Sequence, residues 1–345
     1  MTSNPNPNND RERTVLVFEW ASGGGCWWDN DHWDPGNVFL TQGHQMLGAV
    51  ISDILDCGFN VIAFRDSRFA ESDFRSGLDS RWQDHNERST PSLSIRVIDE
   101  HDSLDLELVR AGTGCSRGLV IAPETGRRLM ACAHWLQLAT CKPLFPTGEF
   151  SLIASSKHAT MHRLRQSGIN SSSTVPDLLF NADDSDAQWP PSFSLPAVIK
   201  PDDGAGSEGV RFVTESWHEV PRPNDGLWHI EPMIPGISIS VAALGSGETF
   251  QILTPLYQVV APTFPHHYRE ARHPVTPLEA QRTIALVNKV LSAMGPFQGY
   301  IGLDLILASS GPEGDTVVDI NPRLTTSYLI QRRLFDGNLA AAFCN

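Results

Sequence analysis

Features that mark several other classes of protein are missing from this sequence. It contains no run of about 18 apolar residues, so we expect no transmembrane helix. Basic residues number 26 against 40 acidic ones, and the net charge of -14 argues against nucleic acid or an anionic membrane as a partner. The six cysteines show no C-x-x-C spacing, which favours reduced thiols in the cytoplasm over zinc fingers or a disulfide framework. What remains is a globular protein whose 345 residues have room for two or three subdomains.

The first part of the sequence predicts an open, mostly parallel sheet. Residues 1–13 are rich in asparagine, proline and charge without the apolar core of a signal peptide, so we expect a disordered tail. Apolar strands then alternate with helices, the strands at 14–20, 59–64, 92–98 and 118–122 and the helices at 37–57 and 103–111. Glu19 and Glu124 lie at carboxyl ends of strands, where such sheets bind ligands. Each is a candidate for substrate contact, although a satisfied sheet-end carboxylate or a helix N-terminal carboxylate also explains them.

The stretch from Leu195 to Val213 predicts a hairpin with a glycine-rich tip. An apolar strand ends at Lys200, and a second strand follows a loop that contains Gly204, Gly206 and Gly209. These glycines match G-x-G-x-x-G, but a strand rather than a helix follows, which disfavours a dinucleotide-binding fold. A Walker A loop is excluded because no Gly-Lys-Ser/Thr is present. Taken alone, the loop fits both a backbone cradle for a polyphosphate and a plain turn.

A helix from Lys157 to Gln166, capped by Ser156, is predicted before the hairpin. His158 and His162 lie one turn apart on it, but without the glutamate of H-E-x-x-H a solvated helix face is favoured over a zinc site.

After the hairpin, the sequence predicts strands at 228–234, 237–244 and 250–260 and a helix from 277 to about 295. The polar loop 261–275 contains Tyr268 and Arg269, which are candidates for substrate contact. Such a loop beside a sheet is either a substrate lid or an ordinary surface loop.

Two apolar strands near the C-terminus contain acidic residues. They read G-L-D-L-I around Asp304 and V-V-D-I-N-P-R from Val317 to Arg323. A charged aspartate in a buried strand is costly unless it is paired or bound to metal. Asp319 and Asn321 are two residues apart and share one face, which Asp304 can face if the strands pair. The pattern predicts a magnesium site on that face, and two edge strands with solvated acids are the alternative.

With these residues in view, the sequence from Thr14 to its end resembles the ATP-grasp superfamily. The resemblance rests on the combination of Lys157, the V-I-K-P strand with Lys200, the glycine loop and the two acidic strands. It implies an α/β fold in which an open parallel-sheet domain precedes an ATP-grasp domain with an α+β lid. We expect the first domain at 14–125 and the ATP-grasp domain at 126–345, with the lid at about 155–230 and the metal-binding subdomain at about 231–345.

The resemblance also implies a nucleotide site. Lys157 and Lys200 would hold the α- and β-phosphates of ATP. The loop residues that would close over them are Gly204, Gly206, Ser207 and Gly209. Glu231 would accept the adenine amino group, with the backbone of Pro232 and Ile234 framing the ring. The metal ligands, for Mg²⁺ or Mn²⁺, would be Asp304, Asp319 and Asn321.

Two positions depart from the family pattern. The middle metal ligand is more often glutamate, and Asp319 is one methylene shorter, which makes it less suited to bridging two ions. Seven residues after Glu231, where many members have a glutamate for the ribose hydroxyls, the sequence has Ser238. Ribose contacts must therefore be weaker or come from elsewhere.

The resemblance implies an ATP- and Mg²⁺-dependent carboxylate-amine ligase that works through an acyl phosphate. Lys200 and Arg323 would be catalytic, and we expect removal of Lys200 to abolish turnover without unfolding the chain. V-L-V-F-E-W, V-I-A-P-E-T and D-I-N-P-R-L-T-T-S-Y look like the tyramine-glutamate ligase group of methanofuran biosynthesis. The alternatives are a nucleotide-binding protein that has lost catalysis and an NAD-dependent oxidoreductase. We expect small-molecule substrates, and a homodimer is compatible with the sequence.

Overall fold

The computed structural model describes residues 7–29, 37–85, 88–172, 178–186, 189, 193–260 and 268–344. Within these ranges, no helix is both long enough and apolar enough to cross a membrane. All six cysteines are free thiols.

The first domain is a parallel sheet with helices on both faces. Its strands are Thr14–Glu19 (β1), Asn60–Asp66 (β2), Leu93–Ile98 (β3), Arg117–Ile121 (β4) and Lys142–Pro143 (β5), in the spatial order β3-β2-β1-β4-β5. Its helices are Pro7–Glu12 (α1), Gly25–Trp28 (α2), Val38–Asp56 (α3), Glu71–Ser76 (α4), Leu104–Thr113 (α5) and Arg128–Leu138 (α6). Alternate residues of β1 enter two different cores, Val15 and Val17 with α3, and Leu16 and Phe18 with α5 and α6. The predicted open α/β sheet is confirmed.

Two features of this domain lie outside the range expected for it. Residues 7–12, within the expected tail, form α1, and Arg11 Nη2 donates to the carbonyl and the hydroxyl of Thr140 at 2.9 and 2.7 Å. The sheet also continues past the boundary expected at residue 125, since β5 pairs with β4 and Cys132 of α6 is buried in the same core. Both features depend on contacts between distant parts of the chain, which local sequence patterns do not reveal.

The lid is an antiparallel sheet, and two helices precede it in the chain. Phe150, Ala154 and Leu164 of these helices pack into the core of the C-terminal sheet. The helices are Gly148–Ala154 (α7) and Lys157–Gln166 (α8), and the strands are Leu178–Asn181 (β6), Ala197–Pro201 (β7), Arg211–Val213 (β8) and Leu227–Pro232 (β9), in the order β6-β9-β7-β8. The predicted glycine hairpin is confirmed as the antiparallel pair β7 and β8. Ser156 caps α8 as expected, because its hydroxyl accepts the backbone N–H of Ala159.

The C-terminal sheet is antiparallel and holds the acidic strands. Its strands are Gly236–Gly247 (β10), Thr249–Ile252 (β11), Leu256–Val260 (β12), Tyr268–Arg272 (β13), Phe297–Ala308 (β14) and Thr316–Asn321 (β15), in the order β13-β12-β10-β14-β15 with β11 also on β10. Helix Pro277–Met294 (α9) covers one face and begins with a capping box formed by Thr276 and Glu279.

The strand expected at 250–260 is broken into β11 and β12. Pro255 lies between them, and it has no N–H to donate to a neighbouring strand. The loop expected at 261–275 is partly corrected. Residues 268–272 pair with β12 as a strand, and residues 261–267 lie outside the described residues.

The last helices, Tyr328–Leu334 (α10) and Ala341–Cys344 (α11), return to the first domain and pack on α3. Tyr328 Oη donates to Asp53 Oδ2 at 2.6 Å, and the guanidinium of Arg332 binds both Asp53 and Asp79. This network joins the segment that follows the acidic strand β15 to the first domain.

Candidate active site

A cavity of about 700 Å³ lies where the first domain, the lid and the C-terminal sheet meet. Residues from all three parts line it. The predicted site residues in its lining are Glu19, Lys157, Lys200, Gly204, Gly206, Ser207, Glu231, Pro232, Ile234, Ser238, Asp304, Asp319, Asn321 and Arg323. Gly209 and Glu124 are not part of the lining within the described residues. Tyr268 and Arg269 lie on β13, and their side chains fall outside the described part.

The acidic strands form one face of the cavity, as their two-residue spacing predicted. Asp304 and Asp319 are direct partners across β14 and β15. Asn321 Nδ2 lies within 3.4 Å of Asp304 Oδ2. Burial, followed by the charge of Asp319, raises the pKa of Asp304 to about 6. Two carboxylates and an amide oxygen are the ligands that a hard divalent cation prefers, and such a cation would remove the repulsion between the carboxylates.

A polar residue that the sequence did not single out completes this face. Gln258 of β12 donates from Nε2 to Asp304 Oδ1 at 3.2 Å, and Ser240 lies opposite Asp304 on β10. A glutamine in the otherwise apolar segment L-Y-Q-V-V was the available signal. Its position relative to Asp304 depends on how β12 and β14 both register on β10, which local sequence does not specify.

Lys157 reaches the acidic face from the start of α8. Its side chain is buried, with Nζ 2.7 Å from the carbonyl oxygen of Gly204 and 3.3 Å from Asp319 Oδ2. Burial lowers the pKa of Lys157, but the carboxylates of Asp319 and Glu124 outweigh burial, so the pKa is raised. The lysine is therefore a fixed positive charge between the acidic face and the glycine loop.

Lys200 and Glu231 form a buried ion pair on neighbouring lid strands. Lys200 Nζ lies 2.7 Å from Glu231 Oε1 and donates to the carbonyl of Val318 at 2.9 Å. Among the described residues, Glu231 Oε2 has no hydrogen-bond partner although it is buried. A buried acceptor without a donor is costly, so this oxygen is suited to a ligand group that brings an N–H.

The glycine loop lies against the first domain. Gly206, Ser207 and Gly209 all have positive φ angles, and a Cβ on Gly206 would lie 2.4 Å from the ring of Phe39. Just before the loop, Asp203 accepts a hydrogen bond from Gly126 N–H at 3.0 Å through its carboxylate. The loop is thus in contact with α3 and with the turn after β4.

Glu124 is engaged by Arg323. Arg323 Nε lies 3.1 Å from Glu124 Oε1, and Nη2 donates to Asn321 Oδ1 at 3.3 Å. The structure therefore places Glu124 behind Arg323, where it fixes the guanidinium. Arg323 in turn contacts the acidic face through Asn321.

Together these groups could hold a magnesium nucleotide. Three oxygen donors on one face could hold Mg²⁺, and two lysines with a glycine loop could hold a polyphosphate. The unpartnered oxygen of Glu231 could accept an amino group.

Comparisons with known proteins identify a family domain that includes these residues and similar folds over nearly the whole chain. The family model for the ATP-grasp domain matches residues 154–327. The fold is similar to that of a protein of Archaeoglobus fulgidus assigned to the ATP-grasp superfamily, with 17% identity and a TM-score of 0.66 over 96% of this chain and 87% of that chain. It is also similar to the L-amino acid ligase of Bacillus licheniformis, with 15% identity and a TM-score of 0.63 over 96% of this chain and 72% of that one.

A biotin carboxylase of Campylobacter jejuni, solved as a complex with beta-gamma-ATP, shares 13% identity and a TM-score of 0.64, over 98% of this chain and 71% of that one. At these identities the likeness concerns the fold. A comparison with curated proteins gave no match.

Proposed function

The chain belongs to the ATP-grasp family, and we propose that it is an ATP- and Mg²⁺-dependent ligase that joins a carboxylate to an amine. The proposal depends on one observation, the presence of an acidic sheet face and two buried lysines in a single cavity. Asp304 and Asp319 are suited to a divalent cation, and Lys157 and Lys200 to a polyphosphate. A magnesium nucleotide is the common ligand that brings both.

In this proposal the lid holds the nucleotide. Glu231 Oε2 accepts the adenine amino group, and the backbone of Pro232 and Ile234 frames the ring. Ser238, one of the cavity residues on β10, faces the ribose. The loop residues that cover the phosphates are Gly204, Gly206, Ser207 and Gly209. Support comes from the unpartnered oxygen of Glu231 and from the positive φ angles of the loop.

A carboxylate does not react with an amine at neutral pH, so the carboxylate must first be activated. Transfer of the γ-phosphoryl group of ATP gives an acyl phosphate, which the amine attacks with release of phosphate. Mg²⁺ held by Asp304, Asp319 and Asn321 would neutralise charge on the phosphates. Lys200 contributes to the same neutralisation, and Arg323, fixed by Glu124, holds the substrate carboxylate in line. The glycine loop excludes water, which would otherwise hydrolyse the acyl phosphate.

For the substrates we propose glutamate and tyramine or a similar amine, in the biosynthesis of a methanofuran-type cofactor. The three sequence motifs that look like the tyramine-glutamate ligase group support this choice. The fold shared with the L-amino acid ligase of Bacillus licheniformis supports ligation more generally.

Phosphate release from ATP and Mg²⁺ tests the proposal, across a panel of amino acids crossed with amines that includes glutamate with tyramine. We expect release that requires one carboxylate and one amine together. Hydroxylamine replaces the amine in a parallel series, because it traps acyl phosphates as hydroxamates. Binding of ATP without carboxylate-dependent release anywhere in the panel would contradict the ligase function and favour a nucleotide-binding protein without catalysis.

A further inference from the structure

Glu19 is a buried carboxylate on the first-domain wall of the cavity, and the mechanism above gives it no role. It is the last residue of β1, its exposed fraction is 5%, and it lines the same cavity as Lys157 and Asp319. Keeping a buried carboxylate charged costs free energy unless it is paired or hydrogen-bonded. The carboxyl end of a central parallel strand is also where open α/β sheets contact their ligands.

The carboxylate of Glu19 is held in one position. Oε1 accepts the backbone N–H of Ala21 at 3.1 Å, and Oε2 accepts the backbone N–H and the hydroxyl of Ser22 at 2.7 and 2.6 Å. Gly43 of α3 leaves the space that the carboxylate fills, since a Cβ there would lie 2.4 Å from Oε1. A carboxylate offers about four acceptor sites, so these three donors leave room for a further one.

The surroundings of Glu19 favour uptake of a proton. Burial raises its pKa above the usual value, and the hydrogen bonds from Ser22 and Ala21 offset burial only in part. The charge of Arg323 also acts on Glu19 and lowers its pKa. A general base is most effective when its pKa lies near the working pH.

The same wall of the cavity carries apolar side chains, and Gln42 and Arg128 line it beside them. Trp20 follows Glu19 in sequence, and Phe39, Leu40 and Met46 line the cavity from α3, the helix whose Gly43 touches the carboxylate. Apolar surface beside a buried carboxylate suits an amine that has a charged nitrogen at one end and a neutral, apolar or aromatic body.

We propose that Glu19 is the general base that takes a proton from the attacking amine, a role that rests on the ligase function proposed above. The ammonium group R–NH₃⁺ gives one proton to the carboxylate, which leaves R–NH₂ and a neutral glutamic acid. The nitrogen lone pair then forms the C–N bond as the bond between the acyl carbon and the phosphate oxygen breaks. The second proton of the nitrogen departs with the phosphate as hydrogen phosphate, and Glu19 returns its proton to solvent after the amide leaves.

Hydroxylamine separates this step from the activation of the carboxylate. It is uncharged at neutral pH and needs no base, whereas tyramine is an ammonium ion that must lose a proton first. With ATP, Mg²⁺ and glutamate, amide formation from tyramine and hydroxamate formation from hydroxylamine are measured for the wild type and for Glu19→Gln. We expect the variant to lose amide formation by about 100-fold or more while hydroxamate formation stays close to wild type. The matched control is Glu149→Gln, an exposed carboxylate paired with Arg163, which should change neither rate.

Equal losses of both products in Glu19→Gln would overturn the proposal, because they are what a purely structural role in the Ala21–Ser22 turn predicts. Unchanged amide formation would overturn it as well. Raising the pH should restore amide formation in the variant more than in the wild type, since free amine becomes more abundant.

A second variant covers the case in which Glu19→Gln does not fold. Gly43→Ala keeps Glu19 but displaces its carboxylate, and we expect the same selective loss of amide formation. A folded Gly43→Ala variant that makes both products at wild-type rates would overturn the proposal. A wild type that makes neither amide nor hydroxamate from glutamate would refute the substrate choice, and one that makes neither from any carboxylate and amine of the panel would refute the ligase function itself.

Discussion

The buried ion pair between Lys200 and Glu231 leads to a quantitative prediction for stability. Their exposed fractions are 5% and 4%, and Nζ lies 2.7 Å from Oε1. Removing either partner leaves an unpaired charge in the cavity wall, which costs about 3–5 kcal/mol. Lys200→Met and Glu231→Gln should each lower the Tm of the nucleotide-free protein by roughly 6–10 °C, taking about 2 °C for each kcal/mol in a chain of this size.

The double variant Lys200→Met/Glu231→Gln removes both charges, so we expect it to be more stable than either single variant, with a coupling energy of about 2–3 kcal/mol. Thermal unfolding is measured without ATP and Mg²⁺, because a bound ligand adds its own stabilisation. The control is the pair of the exposed Glu149 and the half-buried Arg163, where the corresponding substitutions should change stability by less than about 1 kcal/mol.

If both single variants are as stable as the wild type, this reasoning is refuted. Such a result would show that the charge left behind by each substitution costs nothing. The expectation that loss of Lys200 leaves the fold intact stays a prediction, and the ion pair adds to it an expected loss of stability. Turnover of a Lys200 variant must therefore be compared with the wild type at equal folded fraction.

Three further predictions concern the metal face, the glycine loop and the guanidinium. Folding raises the pKa of Asp304 from the ordinary value of 3.8 to about 6. The free energy of unfolding of the metal-free protein should therefore fall as the pH rises from about 4 to about 6. Asp304→Asn should remove this loss, measured as Tm against pH, and abolish Mg²⁺-dependent phosphate release. Gly206→Ala should raise the KM for ATP by about 5- to 10-fold, equivalent to 1.0–1.4 kcal/mol, because a Cβ collides with α3. Arg323→Lys should lower kcat by about 100-fold, since lysine cannot reproduce the contacts that align the guanidinium.

Each of these has a result that contradicts it. A Tm difference between wild type and Asp304→Asn that is constant from pH 4 to pH 6 would show that Asp304 titrates normally in the fold. For the loop, Gly247→Ala is the control, since Gly247 also has a positive φ but no neighbour within 4 Å of a Cβ. An equal effect of both glycine variants on KM would assign the change to backbone strain. Wild-type turnover of Arg323→Lys would leave the guanidinium without a role in alignment.

The positions of the main site residues could be predicted because their signals are local. Asp319 and Asn321 share a face through the two-residue period of a strand, and Lys157 follows the capping Ser156 at the start of its helix. The assumption that β14 and β15 pair was enough to predict that Asp304 faces these two residues. The structure has Asp304 directly opposite Asp319.

The partners of these residues could not be predicted, because they come from distant parts of the chain. Lys200 meets Glu231 through the antiparallel pairing of β7 and β9, and Arg323 meets Glu124 across 199 positions. Gln258 reaches the acidic face through strand register on β10. Sequence patterns specify which face of an element is polar, whereas tertiary packing decides which polar groups meet.

The internal pairing of charges in the cavity has a consequence for the way ligands enter. The pairs are Lys157 with Asp319, Lys200 with Glu231 and Arg323 with Glu124. Each charged side chain of these pairs is therefore already neutralised by a partner within the protein before a ligand binds. A phosphate that takes a lysine frees a carboxylate, and a cation that takes the carboxylate frees the lysine for the phosphate. Mg²⁺ and the nucleotide should therefore each bind weakly alone, and each should strengthen the binding of the other by the same factor.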